Sequence, residues 1–152
     1  MLKIVPYQHA DPIEDFDGLV KLVQGQLSFI GYQLEIEEIL KAIENSRKEG
    51  SRSVFFVAYD STNKACAFAF ANRCCGLENG GDYLWLNELY VSRSNRTKGL
   101  GSKLLEYIKT WAKKEGCVYL ALVTHPTNEK AKALYQQNGL ELEKLVWADE
   151  YL

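Results

Sequence analysis

Residues 83–124 constrain the fold of this 152-residue chain more than any other stretch. The run YLWLNELYV has the alternating and aromatic character of a strand. RTKGLGS follows, and then Leu100, Leu104, Leu105, Ile108, Trp111 and Ala112 recur with the period of a helix that Gly116 ends. CVYLALVT returns as a continuous apolar strand, of the kind buried on both faces. Strand, helix and strand in that order predict a parallel crossover, because parallel neighbours cannot be joined by a tight hairpin. The chain therefore holds at least one βαβ unit.

The remaining elements fall around that unit. LKIVPY reads as a short strand, and Phe16, Leu19, Val20, Val23 and Leu27 mark a first helix. LEIEEILKAIENSRKEG marks a second, stopped at Gly50. SVFFVAY and ACAFAFAN, joined by DSTNK, form an antiparallel hairpin, and GLENGGD is a loop into the long strand. After THPTN, the segment EKAKALYQQNG is a short helix closed by Gly139, and LELEKLVWADEYL reads as terminal strand. The order is β-α-α-β-β-β-α-β-α-β, an α/β (α+β) chain. Its length suits one domain over residues 1–152.

Composition excludes more than it identifies. A net charge of −2 with no clustered basic face argues against nucleic acid or an anionic membrane surface as partner. No run approaches the roughly 18 apolar residues of a membrane span, and MLKIVPYQHADP lacks the apolar centre of a secretory signal, so a cytoplasmic protein is expected. Cys66, Cys74, Cys75 and Cys117 show no C-x-x-C spacing, and only His9 and His125 could join them, so no metal site is expected.

The glycines of RTKGLGS stand where a helix begins. The opening turns of a helix carry unpaired N–H groups and the positive end of the dipole, so an anion is the first candidate guest, with Arg96 and Lys98 adding charge. A tight turn with solvated basic residues is the alternative. Two familiar phosphate loops fail on spacing: there is no G-x-x-x-x-G-K-[ST], and Leu104 stands where G-x-G-x-x-G needs its third glycine.

What remains, R-x-x-G-x-G between a strand and an amphipathic helix, resembles motif A of the GNAT superfamily of N-acetyltransferases. NEKAKALYQQNGL resembles that family's following motif, with Asn128, Ala131, Tyr135 and Gly139-Leu140 in its places; Leu140 replaces the usual Phe. The likeness covers nearly the whole chain. It implies a GNAT fold: a mixed, mostly antiparallel twisted sheet of six to seven strands flanked by about four helices. It also implies acetyl-CoA as cosubstrate. The pyrophosphate would lie on Arg96, Thr97, Lys98, Gly99, Leu100, Gly101 and Ser102, and the pantetheine arm along the backbone of Leu89, Tyr90 and Val91, with Asn128 touching it. Tyr135 would be the general acid beside the sulfur, although an aromatic packed in the core is an equal fit to its helical position.

Acyl transfer to an amine needs the neutral amine. With a lysine-like pKa of about 10.4, that form is about one molecule in a thousand near neutral pH, so a base offsets a cost of about 4 kcal/mol. Glu88 is the candidate, since strand alternation groups it with Leu86 and Tyr90, where a charge is otherwise hard to place; an ion pair on a sheet face is the alternative. His125, in THPT, is the rival base. Phe29, Tyr32 and Tyr83, with Glu78 and Asp82, would line a cleft for a cationic small-molecule or peptide amine, or else serve as core and solvated loop. Trp147 and Tyr151 are candidates to cover a homodimer surface. The resulting expectation is an N-acetyltransferase working by direct attack in a ternary complex; the alternative is a non-catalytic acyl-CoA sensor of the same fold.

Overall fold

The computed structural model describes residues 2–152. Strand β1 (Lys3–Tyr7) leads to helices α1 (Phe16–Phe29) and α2 (Ile36–Ser46), then strands β2 (Ser53–Tyr59), β3 (Ala65–Gly76) and β4 (Gly81–Val91). A single 3-10 turn, Arg93–Asn95, precedes α3 (Leu100–Lys114), which is followed by β5 (Tyr119–Ala121) and α4 (Glu129–Gln137). The sheet has the order β1-β2-β3-β4-β5, antiparallel except for the parallel β4–β5 pair on either side of the α3 crossover. No helix among the described residues is long and apolar enough to cross a membrane.

Two cores sit on the two faces of this sheet, and strand alternation sorts residues between them. In β2, Val54, Phe56 and Ala58 face α3, whereas Phe55, Val57 and Tyr59 face α1 and α2. In β3 the alternation is also one of size. Ala67, Ala69 and Ala71 leave room for Leu104, Leu105, Ile108 and Trp111 of α3, while Phe68 and Phe70 fill the other side. Phe56 meets Trp111 edge-to-face at 5.1 Å between ring centres, a geometry that the ring quadrupoles favour.

The number and length of strands differ from expectation. Among the described residues five strands form, not six or seven. CVYLALVT gives only the three residues Tyr119–Ala121, and Val118 and Val123 are exposed, so β5 is a short edge rather than a strand buried on both faces. LELEKLVWADEYL forms no strand. A strand requires a ladder partner, and the backbone N–H groups of residues 141–152 meet no backbone carbonyl.

β4 carries the irregularity that matters for the site. Phe70 pairs with Glu88 and the next residue, Ala71, pairs with Leu86, so Asn87 is an extra, bulged residue. The bulge reverses the facing of everything beyond it. Leu84, Leu86, Leu89 and Val91 belong to the α3 face, while Tyr90 packs with the α1 face and Glu88 opens onto it. Glu88 therefore shares a face with Tyr90 as expected, but not with Leu86.

Candidate active site

The Glu88 carboxyl stands on the wall of a half-open cleft of about 170 Å³ between α1, α2 and the sheet. Phe55, Phe68 and Phe70 line the cleft from the sheet, and Leu27, Ile39 and Ile43 from the helices. Glu88 is its one titratable group. Burial without a compensating cation pushes its pKa from 4.5 to about 7, since the charged form is poorly solvated there. A carboxylate poised near neutrality can take a proton from an ammonium substrate and release it to water. His125 is not part of this arrangement. Its Nδ1 lies 2.7 Å from Thr127 Oγ1 and accepts from the Thr127 amide, a local contact in the turn before α4.

Tyr135 lies on the other face of the sheet, 8% exposed and packed with the α3 core. Burial pushes its hydroxyl pKa upward, so the phenol keeps its proton, as a general acid must. Cys66 and Cys117 are also buried, with thiol pKa values raised chiefly by that burial, which removes them as ready thiolate nucleophiles.

Between the two faces the sheet opens. The β4–β5 ladder ends at Trp85 and Ala121, whereas β4 continues to Val91 with only β3 as ladder partner. Leu89, Tyr90 and Val91 thus present one backbone edge with no strand beside it. Their side chains are held on both faces: Leu89 and Val91 pack against the α3 core, and the Tyr90 ring lies between Phe68 and Arg96. The Tyr90 hydroxyl comes so close to α1 that a Cβ on Gly25 would stand 2.9 Å from it.

At the end of β4 the chain turns through Arg96 to Gly99 into α3. Arg96 Nε donates to Val91 O at 3.0 Å, and its guanidinium lies 5.3 Å from the Phe29 and Tyr90 ring centres, so its first duty is to brace the turn. Thr97 (φ 65°) and Gly99 (φ 70°) are left-handed, and a Cβ on Gly99 would meet nothing, so the glycine serves backbone conformation. Gly101 is different: a Cβ would make only ordinary contact, 3.4 Å from Leu134, so packing does not demand a glycine there. No acceptor among the described residues meets the N–H groups of residues 97–102, and α3 has no side-chain cap. By contrast, α2 has a reciprocal Glu35–Glu38 capping box and α4 is capped by Asn128. The unpaired amides and the helix dipole suit a pyrophosphate, and the strand-free edge of β4 suits an extended amide-bearing arm.

Three expected residues carry structural duties as well. Asn128 Oδ1 accepts from the Ala131 amide at 3.2 Å as the N-cap of α4. Ser102 Oγ accepts from Asn138 Nδ2 at 3.1 Å, tying the start of α3 to the end of α4. The Leu100 side chain is buried in the core, leaving only its backbone to face a guest.

The expected acceptor cluster does not assemble. Phe29 and Tyr32 are exposed at the end of α1, whereas Glu78 lies in the β3–β4 turn and Asp82 and Tyr83 at the start of β4, where Asp82 pairs with Arg52. Sequence reasoning missed Gln26, which lines the Glu88 cleft at 8% exposure. The signal was available: Gln26 follows Leu22 by four residues and so falls in the apolar stripe of α1.

Comparison with known proteins identifies the family. Residues 20–140 match the Acetyltransferase (GNAT) family, and the chain belongs to it. It is 46% identical over 56 residues, 37% of its length, to the uncharacterized N-acetyltransferase YhfO of Bacillus subtilis. It is 30% identical over 66 residues, 43% of its length, to the D-amino-acid N-acetyltransferase HPA3 of Saccharomyces cerevisiae. These matches span 38% of YhfO and 41% of HPA3, well under two thirds of either protein. Among solved structures, a probable acetyltransferase superposes with a TM-score of 0.83 at 22% identity, covering 97% of this chain and 99% of the other. The aminoglycoside N-acetyltransferase AAC(6')-Iy in complex with CoA gives 0.79 at 19% identity, covering 100% and 96%. At these identities the structures establish the fold alone.

Proposed function

We propose that the protein transfers an acetyl group from acetyl-CoA to a primary amine by direct attack in a ternary complex. The observation that carries this is the Glu88 carboxyl, held in an apolar cleft with its pKa at about 7, on the strand whose free edge begins beside it. The N–H groups of residues 97–102 would hold the pyrophosphate, with Lys98 adding charge and Arg96 bracing the turn. Leu89, Tyr90 and Val91 would pair through their backbone with the pantetheine arm. Acetyl-CoA, when bound, supplies the acyl group as a thioester, so that the N–C bond forms as the C–S bond breaks and CoA leaves as the thiol.

Glu88 takes a proton from the ammonium, directly or through water, and raises the fraction of amine able to attack. Tyr135 donates the proton that the departing sulfur needs, and its apolar packing keeps that proton in place until then. Among relatives and structural neighbours, HPA3 is named for D-amino acids and AAC(6')-Iy for aminoglycosides, so amino acids and aminoglycosides belong in the acceptor panel. The test is CoA-thiol release from a panel of amines at saturating acetyl-CoA, with Glu88→Gln as control. Product formation that is lost in Glu88→Gln supports the proposal; binding of acetyl-CoA with no product from any amine replaces it with the sensor alternative.

A further inference from the structure

The cleft beside Glu88 has a composition that selects among amines. Its sheet side is three phenylalanine rings, its helix side is aliphatic apart from Gln26 and Ser46, and Glu88 is its one charge. An acceptor with a free carboxylate would find no cation there, and a polycation would find no second anion; both would lose hydration without return. At about 170 Å³ the space suits a group of phenyl size, since an apolar cavity of about 150 Å³ takes up benzene.

One polar group in this wall is unaccounted for. Gln26 is 8% exposed, and its Oε1 is buried with no hydrogen-bond partner among the described residues. Ser46, the other neutral polar residue of the lining, already donates to Ile43 O at 2.7 Å. Buried polar side chains in native proteins almost always have partners, so an orphaned carboxamide on a cleft wall marks where a ligand's polar group belongs.

Resting on the acetyltransferase reading, we propose that the acceptor is an aralkylamine: a primary amine on a compact, uncharged aromatic arm that stacks over Phe55, Phe68 and Phe70, with a hydroxyl of that arm paired to Gln26. A hydroxyl both donates and accepts, so it satisfies a carboxamide in either orientation. The products are the N-acetyl aralkylamine and free CoA thiol. Gln26 is the residue that sets specificity, and Glu88 the base.

The experiment measures kcat/KM by mass detection of the N-acetyl product for phenylethylamine, its para-hydroxy derivative, D- and L-phenylalanine, spermidine and kanamycin. Phenylethylamine should exceed phenylalanine and the polycations by about a hundredfold, since each of those must bring an uncompensated charge into the cleft. The para-hydroxy derivative should exceed phenylethylamine by about tenfold, the size of one hydrogen bond, and Gln26→Leu should erase or invert that ratio. Phenylalanine or a polycation as the best substrate, or an unchanged ratio in Gln26→Leu, overturns the inference. If the variant does not fold, the ranking by the parent protein decides alone. Turnover of polycations or amino acids without aralkylamines leaves acetyl transfer standing and removes only this inference. No product from any amine, with acetyl-CoA binding seen by calorimetry, removes both.

Discussion

At the scale of single residues, function and stability pull against each other at Glu88. Its folded pKa of about 7 lies above the ordinary 4.5, so the folded state holds the proton more tightly than the unfolded chain does. As pH rises from 4.5 to 7 the unfolded chain loses this proton first, and stability falls through that window, reaching its low plateau above 7. Glu88→Gln removes the fall, so denaturant titrations above pH 7 should find the variant more stable than the parent. Activity runs the other way. The base must be ionised, so kcat/KM should rise with pH and level off above about 7, and Glu88→Gln should lose that limb along with roughly 10²–10³-fold of the rate. Tyr135→Phe keeps the packing and removes the proton donor; it should bind acetyl-CoA unchanged by calorimetry while turnover drops about 10²-fold. The sequence offers Glu88 and Tyr135 as candidates by residue type, but not their placement. The bulge at Asn87, which sets the face of Glu88, exists only through pairing with Phe70 and Ala71, residues distant in sequence.

Elements show why motif and packing can be separated at the start of α3. Its amphipathic period and its two glycines were plain in the sequence; what could not be read there is that the glycines do different work. Gly99 is bound to a left-handed backbone, so Gly99→Ala should cost about 1–2 kcal/mol in thermal or chemical denaturation. Gly101 has helical geometry, and a Cβ there would rest against Leu134 and Val91 at ordinary contact distance, so Gly101→Ala should leave stability unchanged or raised by about 0.5–1 kcal/mol. Lys98, in the turn just before, is exposed, so Lys98→Glu should leave stability nearly unchanged. A carboxylate there would face the bound phosphates, so CoA affinity measured by calorimetry should fall on the order of a hundredfold. Unchanged affinity in a folded Lys98→Glu protein would remove residues 97–102 from the binding site. At the start of α2, by contrast, the Glu38 amide donates to Glu35 O and the Glu35 amide to Glu38 Oε2, and at the start of α4 the Ala131 amide donates to Asn128 Oδ1.

For the whole molecule, the order of elements was legible up to α4, because each carries its own period, turn residues or glycine stop. The terminal segment broke that rule for a physical reason. LELEKLVW has the composition of a strand, but strand formation depends on a neighbour's free edge, and composition cannot report whether one is within reach. In the structure residues 141–152 are tied down by side chains: Trp147 stacks on Trp85 with ring centres 6.4 Å apart, and the Tyr151 hydroxyl lies 3.4 Å from that of Tyr32. Val146 is 97% exposed, and no backbone N–H of residues 141–152 is bonded to a backbone carbonyl. Hydrogen exchange reads this difference directly, since protection follows backbone bonding and burial. In dilute protein, amides 141–152 should exchange at nearly free-chain rates while those of β2, β3 and the β3-paired part of β4 are the slowest in the chain. Trp147→Ala should leave the β2–β4 protection unchanged, because the stack it removes lies outside both cores. Slow exchange of 141–152 that strengthens with protein concentration would instead show a second copy of the chain supplying the missing ladder, and the homodimer expected from Trp147 and Tyr151 would then be the working form.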